Sequence, residues 1–185
     1  MPKILITGGA RSGKSSYALE LAKKFGEPVL FVATAEPIDF EMAKRIERHR
    51  KTRPKGWVTL EARRHIGSVI EKKIGKSKVV LVDCITLLIG NVFNEFKDNP
   101  DDKLDESTIE KKAMQEVKGL INCMGKNKVS FILVTNEVGE GIVPENKLGR
   151  LYRDILGKTN QMLARECDEV YLMVSGIPVK LKPDR

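Results

Sequence analysis

The sequence predicts an α/β fold: a doubly wound, mostly parallel β-sheet with an antiparallel C-terminal edge strand. Two observations carry this prediction: short apolar runs recur along the chain, and segments with helical periodicity separate them. Five of the runs are predicted as strands, namely Lys3–Thr7, Val29–Thr34, Lys78–Cys84, Val129–Asn136 and Glu169–Ser175. Their nearly continuous Val, Ile, Leu and Phe content is typical of parallel strands that are covered on both faces.

The segments between these runs carry apolar residues at helical spacing. The first such stripe consists of Ala18, Leu21, Ala22 and Phe25, and it is followed by Gly26, a residue type that often ends helices. Two further stripes are predicted as helices: one is Ile109, Ala113, Val117, Leu120, Ile121 and Met124, and the other is Leu148, Tyr152, Ile155, Met162 and Leu163. Helices between parallel strands imply right-handed crossovers.

Three further segments complete the predicted element order. A helix is expected from about Phe40 to Arg50, and the acidic segment Phe96–Ser107 is expected to be an exposed loop that leads to a capped helix. The last apolar run, Ile177–Lys182, follows the preceding one too closely for a helical crossover and should therefore pair with it antiparallel. Because no interdomain linker or internal repeat is evident, residues 1–185 are expected to form a single domain.

Composition is typical of globular proteins and bears on location. Hydrophobic residues make up 41% of the chain and charged residues 31%, and no apolar run approaches the roughly 18 residues of a membrane span. The N-terminal residues lack the apolar region of a secretion signal, so a cytoplasmic location is expected. The odd number of cysteines and the absence of close metal-ligand spacing predict that Cys84, Cys123 and Cys167 are buried free thiols.

The positive charge is concentrated in one short segment. A formal net charge of +8 is compatible with nucleic acids, anionic membranes or phosphorylated small molecules as partners. Much of the lysine lies in mixed-sign stretches that are typical of solvated helix faces. The exception is RIERHRKTRP, Arg45–Pro54, in which a single histidine, His49, stands among five arginines and lysines.

A phosphate-binding loop follows the first predicted strand. Gly8, Gly13, Lys14 and Ser15 in GGARSGKS satisfy the pattern G-x-x-x-x-G-K-[ST]. The glycines let backbone N–H groups face phosphate oxygens at the positive end of the next helix, while the lysine adds charge at the β- and γ-phosphates and the serine hydroxyl can coordinate Mg²⁺. A glycine turn that only starts a helix would leave Lys14 and Ser15 unexplained. The sequence therefore predicts a phosphate-loop NTPase-type fold that binds a nucleoside triphosphate.

Asp83 ends an apolar strand in VVLVDC and is the predicted acidic partner of this loop. At the carboxyl edge of the sheet it would lie beside the phosphate loop and bind Mg²⁺ through water. The alternative is an aspartate that only caps the next turn, and the presence of the phosphate loop favours the metal role. Small-molecule kinases, GTPases and motor ATPases share these features, so they leave the reaction open.

His49 shares a predicted helix face with Met42 and Ile46, a pattern that a packed residue would also show. Packing does not require the surrounding arginines, whereas arginine forks match phosphate oxygens and offset the charge that develops during phosphoryl transfer. A neutral imidazole is also a competent nucleophile toward phosphorus. From the residues alone, structural, anion-binding and covalent roles for His49 stay open. His65, in EARRHIGSV, is expected to be a surface or partly packed helix residue.

Several long motifs together resemble one known family. Besides GGARSGKS they are ATAEPIDFEMAKRIERHRKTRPKGWVTLEA, VLVDCIT, NEVGEGIVPENKLGRLYRDILGKTNQ and DEVYLMVSGIPVKLK, in the same order from Lys3 to about Lys182. They resemble the bifunctional adenosylcobinamide kinase/adenosylcobinamide-phosphate guanylyltransferase family of coenzyme B12 biosynthesis. The resemblance implies phosphorylation of the aminopropanol hydroxyl of adenosylcobinamide by GTP or ATP. It further implies transfer of GMP from GTP, through a histidine, to adenosylcobinamide-phosphate.

The resemblance also implies roles for individual residues and partners. His49 would carry GMP, Lys14 and Asp83 would act in catalysis, and Ser15 and Asp83 would lie at Mg²⁺. The residues implied to bind GTP are Gly8, Gly9, Ala10, Arg11, Ser12, Gly13, Lys14, Ser15, Ala33, Thr34, Ala35, Arg50, Lys51, Thr52, Arg53, Glu61 and Asp83. The implied partners are GTP or ATP, adenosylcobinamide, adenosylcobinamide-phosphate and further copies of this chain, since the family forms homotrimers.

Two other functions remain open from the sequence. A plain small-molecule kinase would use His49 and its arginines only to bind anions. A nucleic-acid-binding ATPase would also explain positive charge, but an aromatic content of 5% offers few stacking platforms and the basic residues form no extended stripe. No nucleic-acid partner and no membrane span are therefore expected.

The loop after the fourth predicted strand is a further candidate for function. It carries Asn136, Glu137, Gly139 and Gly141 before a helix that is expected to begin near Pro144. Loops at strand ends face the ligand crevice in this architecture, so this loop is expected to contact substrate or another subunit. The alternative is a flexible connection.

Overall fold

The fold is described by a computed structural model that covers residues 1–37, 40–100 and 104–182. Its strands are β1 (Lys3–Gly8), β2 (Val29–Ala33), β3 (Val58–Glu61), β4 (Val79–Asp83), β5 (Ser130–Val134), β6 (Glu169–Val174) and β7 (Ile177–Lys182). Its helices are α1 (Lys14–Phe25), α2 (Phe40–Thr52), α3 (Ile66–Lys73), α4 (Ile85–Phe93), α5 (Glu106–Lys126) and α6 (Lys147–Glu166). All five strands predicted from apolar runs are present, with bounds within two residues of those expected.

The strands form one sheet in the order β3-β2-β4-β5-β1-β6-β7. Strands β1 to β6 run parallel, and β7 pairs antiparallel with β6. The predicted doubly wound sheet with its antiparallel edge is therefore confirmed. Because β5 separates β1 from β4, the carboxyl ends of these three strands lie side by side, at the edge where α/β proteins place their ligands.

Helices cover both faces of the sheet and enclose two apolar cores. On one face, Ala18 and Ala22 of α1 pack with Trp57 against the central strands. On the other face, helices α3 to α6 enclose the larger core, which contains Ile89 and Leu120. No helix within the described ranges is both long and apolar enough to cross a membrane.

The apolar pattern of the sequence does not predict three of the elements. Strand β3 lies at the edge of the sheet with most of its residues exposed, so it lacks an apolar run. Helix α4 is buried on nearly all sides and therefore lacks the polar face that marks an amphipathic helix. Helix α3 spans only eight residues, too few for a clear periodicity.

The helix ends correct two of the expectations. Phe25, which the apolar stripe assigns to the core, is 36% exposed in the last turn of α1, although the helix does end at Gly26 as expected. Helix α6 begins at Lys147 rather than near Pro144. The reason is that the Asn146 side chain accepts a hydrogen bond of 2.6 Å from a backbone N–H in the first turn and caps the helix there.

The acidic segment Phe96–Ser107 is only partly an exposed loop. It does lead to a capped helix, because α5 begins at Glu106 and the Asp105 carboxylate accepts a hydrogen bond of 3.0 Å from a backbone N–H in the first turn. However, Leu104 is buried in the larger core, and the first residue of the segment packs partly against that core. The middle of the segment, residues 101–103, lies outside the described residues.

The three cysteines are buried and free, as predicted. Burial raises the pKa of Cys84 and of Cys167 to about 12 and that of Cys123 to about 11. A thiol with a raised pKa is mostly protonated at neutral pH and is a poor nucleophile. These residues therefore contribute apolar packing to the fold.

Gly67 in α3 lies directly against the backbone of α5. A Cβ at this position would lie 2.2 Å from the Gly119 carbonyl oxygen, well inside van der Waals contact. We expect Gly67→Ala to push the two helices apart and to lower the free energy of unfolding by roughly 1–3 kcal/mol. Gly119→Ala is the matched control, because a Cβ there meets no atom within 4 Å. Urea denaturation of both variants checks the prediction, and equal stabilities would contradict it.

Candidate functional site

The phosphate loop joins β1 to α1 and rests against the hairpin turn between β6 and β7. Two of its glycines adopt positive φ, +144° at Gly8 and +95° at Gly13. A Cβ on Gly8 would lie 2.6 Å from the Met173 carbonyl oxygen, and one on Gly13 would lie 3.1 Å from the Gly176 Cα. The Gly176 N–H donates a hydrogen bond of 3.0 Å to the Ser12 carbonyl. The glycines are therefore required by the hairpin contact as well as by the curvature of the loop.

Lys14 is the first residue of α1, and it is only 7% exposed. Its ammonium group donates hydrogen bonds to the Gly9 carbonyl (2.5 Å) and to the Ser12 hydroxyl (3.3 Å). The charge is thereby held over the loop, next to the helix N-terminus, where the first backbone N–H groups have no intrahelical partner. A positive side chain and a helix N-terminus together form a site for phosphate anions.

Asp83 at the end of β4 connects the phosphate loop electrostatically to α2. Burial raises the pKa of Asp83, while a hydrogen bond from the Ser15 hydroxyl and the nearby His49, Arg53 and Lys14 partly oppose this rise. These opposing effects act only over short distances. The Asp83 carboxylate is therefore close to residues of the loop and to residues of the histidine segment.

Ser15 and Asp83 suit Mg²⁺ by the chemistry of their oxygens. Hydroxyl and carboxylate oxygens are the ligands that this ion prefers in proteins. Among the residues that the structure describes, no group of three or more His, Cys, Asp or Glu side chains is arranged to hold a metal ion. A Mg²⁺ ion here would therefore take most of its ligands from nucleotide phosphates and water.

The end of β2 carries the predicted nucleotide-binding segment Ala33–Ala35. Thr34 is buried, and its hydroxyl donates to the Cys84 carbonyl (2.7 Å) and accepts from the Cys84 N–H (2.8 Å). The Asn91 side-chain amide donates to the carbonyls of Thr34 (2.9 Å) and Arg63 (3.0 Å). These hydrogen bonds hold the segment at the carboxyl edge, and the Thr34 hydroxyl is already bonded to the Cys84 backbone.

Helix α2 presents His49 on its half-buried face, together with Met42 and Ile46, as the spacing predicts. The helix continues to Thr52, two residues beyond the expected end, and the Thr52 hydroxyl donates to the His49 carbonyl (2.9 Å). His49 is close enough to Asp83 to oppose the rise in its pKa, and Asp83 in turn accepts a hydrogen bond from Ser15 of the phosphate loop. The structure therefore brings the histidine to the side of the sheet where the loop lies.

Two arginines that follow His49 have different environments. Arg50 forms an ion pair with Glu61 at the end of β3, and both side chains are about half exposed. Arg53 lies over the Phe31 ring, with 4.1 Å from the guanidinium carbon to the ring centroid. Burial lowers the pKa of Arg53, an effect that Asp83 opposes. The Arg53 Nε is buried without a hydrogen-bond partner among the described residues.

An open cavity of about 400 Å³ lies beside these arginines. It is lined by Arg50, Arg53, Pro54, Lys55, Trp57, Thr59 and Glu61. Trp57 is buried, and its indole N–H donates to the Glu27 carboxylate (3.1 Å), which fixes the ring in the wall. The volume is in the range of small-molecule sites, and the three cationic groups suit an anionic ligand.

Two candidates from the sequence lie outside this cavity. Lys51 pairs with Glu47 one turn earlier (2.9 Å), and its side chain is 74% exposed. His65 is exposed, as expected, but it lies at the N-cap of α3 with φ +52° rather than within the helix. Its Nδ1 lies 3.3 Å from the buried carboxylate of Glu116.

A polar network connects the ends of β1 and β5 to α6. The Oε1 atom of Glu137 accepts hydrogen bonds from the Thr7 hydroxyl (2.6 Å) and from the Asn160 amide (3.2 Å). The Glu137 N–H donates to the Gly8 carbonyl (3.2 Å), and the Asn160 amide oxygen accepts from the Thr135 hydroxyl (2.8 Å). The sequence marks the loop after β5 as functional but does not predict this network, because its members are far apart in the chain.

The chain matches known proteins over nearly its whole length. Residues 4–181 match the family described as cobinamide kinase / cobinamide phosphate guanyltransferase. The chain is 44% identical over 180 residues to the bifunctional adenosylcobalamin biosynthesis protein CobU of Escherichia coli (strain K12), with 97% of this chain and 99% of that protein covered. The CobU protein of Salmonella typhimurium is 43% identical with the same coverage. The CobP protein of Pseudomonas aeruginosa is 39% identical, with 96% of each chain covered.

Solved structures with low sequence identity share the fold. The RadB recombinase gives a TM-score of 0.50 at 14% identity, covering 92% of this chain and 73% of that one. A protein of Pyrococcus horikoshii OT3 gives 0.56 at 10% identity, covering 100% of this chain and 87% of that one. These likenesses support the sheet architecture alone. The match to the family model and to three full-length relatives goes further and confirms the resemblance: the chain belongs to the cobinamide kinase / cobinamide phosphate guanyltransferase family.

Proposed function

We propose that this enzyme acts twice on one substrate. It phosphorylates the aminopropanol hydroxyl of adenosylcobinamide with a nucleoside triphosphate and then transfers GMP from GTP to the new phosphate, which gives adenosylcobinamide-GDP and pyrophosphate. The observation that carries this proposal is that the Asp83 carboxylate is close both to Lys14 and Ser15 of the phosphate loop and to His49 of α2. One bound triphosphate can thereby lie near both a phosphate loop and a nucleophile. Membership of the family supports the same pair of reactions.

The kinase step uses the phosphate loop. Residues Gly8–Ser15 bind the triphosphate through backbone N–H groups, and Lys14 contacts the β- and γ-phosphates. Ser15 and Asp83 would hold Mg²⁺, which supplies positive charge that stabilises the transferred phosphoryl group. The substrate hydroxyl oxygen bonds to the γ-phosphorus while the bond from that phosphorus to the bridging oxygen breaks. GTP serves as the donor in this proposal, with ATP as an alternative.

The guanylyl step proceeds through His49. A neutral imidazole nitrogen bonds to the α-phosphorus of GTP, the bond between that phosphorus and the bridging oxygen breaks, and pyrophosphate leaves. An oxygen of the cobinamide phosphate then bonds to the same phosphorus while the phosphorus–nitrogen bond breaks. Two displacements replace one direct exchange between two highly charged molecules.

The cavity next to α2 supports this second step. Two anionic species must be held close together when pyrophosphate leaves and the phosphorylated substrate enters, and arginine forks bind phosphate oxygens in pairs. Arg50 and Arg53 line the cavity, and their guanidinium groups supply N–H donors. The Glu61 carboxylate, an acceptor-only group, suits the N–H donors of guanine. Lys51 is the weakest of the proposed ligands, because its side chain turns to Glu47.

Labelling of the protein by GTP tests the covalent step. With Mg²⁺ present, GTP labelled at the α-phosphate is expected to label the protein through an acid-labile, base-stable bond, as a phosphorus–nitrogen bond requires. GTP labelled at the γ-phosphate is the matched control and should leave the protein unlabelled while it labels adenosylcobinamide. Transfer of the γ-label without any α-label on the protein would instead support a plain small-molecule kinase.

A further inference from the structure

Glu137 stands at the centre of the carboxyl edge of the sheet. Strand β5 lies between β1, which leads into the phosphate loop, and β4, which ends at Asp83. The chain continues alongside β1 beyond the end of β5: the Thr135 N–H donates to the Ile6 carbonyl (3.0 Å) and the Glu137 N–H to the Gly8 carbonyl (3.2 Å). The backbone of Glu137 therefore lies next to the first residue of the phosphate loop.

One oxygen of the Glu137 carboxylate is fixed and the other is open. Both hydrogen bonds to the side chain, from Thr7 (2.6 Å) and Asn160 (3.2 Å), end on Oε1. Within the ranges that the structure describes, no group donates to Oε2. The donors come from β1, a strand of the sheet, and from α6, a helix that packs against it, so the carboxylate is held in one orientation. Such an arrangement positions a carboxylate for chemistry while one oxygen stays free to take a proton.

The kinase step needs a proton acceptor that the other site residues do not supply. An attacking hydroxyl must lose its proton, and Lys14 and the arginines are donors only. Asp83 accepts from Ser15 and would be committed to Mg²⁺, and His49 serves the guanylyl step. Glu61 ends the edge strand β3 and pairs with Arg50, whereas Glu137 lies beside the phosphate loop with an open oxygen.

We propose that Glu137 is the general base of the kinase step, an inference that rests on the function proposed above. The proton of the substrate hydroxyl moves to Oε2 as the hydroxyl oxygen bonds to the γ-phosphorus and the bond to the bridging oxygen breaks, releasing the nucleoside diphosphate. The carboxylic acid then returns its proton to water. The guanylyl step has no hydroxyl to deprotonate and does not require Glu137.

The alternative is that Glu137 only ties β1 to α6. Glu137→Gln separates the two roles, because the amide oxygen can accept both existing hydrogen bonds while the amide nitrogen replaces Oε2 and cannot take a proton. Glu140→Gln is the matched control, since Glu140 lies three residues further along the same loop and is exposed. Both variants remove one negative charge.

The experiment measures the two reactions separately in the full-length enzyme. Phosphorylation is followed with adenosylcobinamide and γ-labelled nucleotide, and guanylyl transfer with adenosylcobinamide-phosphate and α-labelled GTP. We expect Glu137→Gln to lower kcat of phosphorylation at least about 100-fold, with little change in KM for the nucleotide. Guanylyl transfer by this variant, and both reactions of Glu140→Gln, should stay near the wild-type rates.

A second readout is the dependence of phosphorylation on pH. As the pH is lowered, the wild-type kcat of phosphorylation is expected to fall more steeply than that of guanylyl transfer, and in Glu137→Gln this difference between the two reactions should disappear. Retained phosphorylation by Glu137→Gln, or equal loss of both reactions, would overturn the assignment of Glu137. Absence of phosphorylation by the wild-type enzyme would instead overturn the proposed function.

Discussion

Replacing His49 with asparagine is expected to abolish guanylyl transfer while phosphorylation of adenosylcobinamide continues. Asparagine retains a polar amide near the position of the proximal ring nitrogen but has no nucleophilic nitrogen, so no bond to the α-phosphorus can form. We expect guanylyl transfer to fall by at least about 10⁴-fold, the scale seen when a covalent nucleophile is removed. In the proposed mechanism the γ-phosphorus is attacked beside the phosphate loop, so the kinase step would not use the imidazole. Rates measured with α- and γ-labelled GTP distinguish the two effects.

His65→Asn is the matched control for this substitution. The chain has two histidines, and His65 is 78% exposed at the N-cap of α3. Asparagine tolerates the positive φ of +52° at this position, so the fold should be kept. This variant should retain both reactions and the covalent label. A label that survives in His49→Asn and disappears in His65→Asn would reverse the assignment of the two histidines.

Most of the fold could be predicted because its central strands are buried on both faces. Strands β2, β4 and β5 are buried along almost their whole length, so their sequences are nearly continuous apolar runs. Strand β3 and helix α4 could not be predicted, because an exposed edge strand and an all-buried helix lack the periodicity that marks amphipathic elements. The strand order could not be predicted from local sequence patterns either, because it depends on contacts between segments that are distant in the chain.

The candidate site likewise contains a part that the sequence predicts and a part that it does not. The phosphate loop could be predicted because its function depends on contiguous residues, Gly8–Ser15, in a fixed pattern. The network of Thr7, Glu137 and Asn160 could not, because strand order alone brings these residues together. The Gly176 turn that supports the loop has no signal beyond a common turn residue. The structure thus identifies mainly those groups that contact the phosphate loop although they are far from it in the sequence.

Replacing Asp83 with asparagine is expected to lower both reactions by about 10³-fold, because both proposed steps use the charge that this carboxylate places near the loop and α2. The same substitution is expected to stabilise the protein at neutral pH, by ~1 kcal/mol, as substitutions of residues kept for activity rather than stability commonly do. The physical reason is burial, which makes the ionised carboxylate less favourable in the folded state than in the unfolded state.

The pH dependence of stability separates this cause from a general packing effect. Because burial raises the pKa of Asp83, the folded state binds more protons than the unfolded state between the ordinary aspartate pKa and the raised one. The free energy of unfolding of the wild-type enzyme should therefore fall as pH rises through that window, and the loss should be smaller in Asp83→Asn. This difference is measured by urea denaturation of both proteins at a series of pH values.

Asp105→Asn is the control, because the pKa of Asp105 is shifted in the opposite direction to that of Asp83. The hydrogen bonds from Thr108 and the neighbouring backbone lower the pKa of Asp105, so its contribution to stability is present above the unfolded pKa and is lost as pH falls through the folded one. Asparagine can still cap α5, and neither reaction should change. If Asp83→Asn loses activity and also loses stability at neutral pH, the carboxylate stabilises the fold through Ser15 and its cationic neighbours. In that case the trade of stability for catalysis at this position would be refuted.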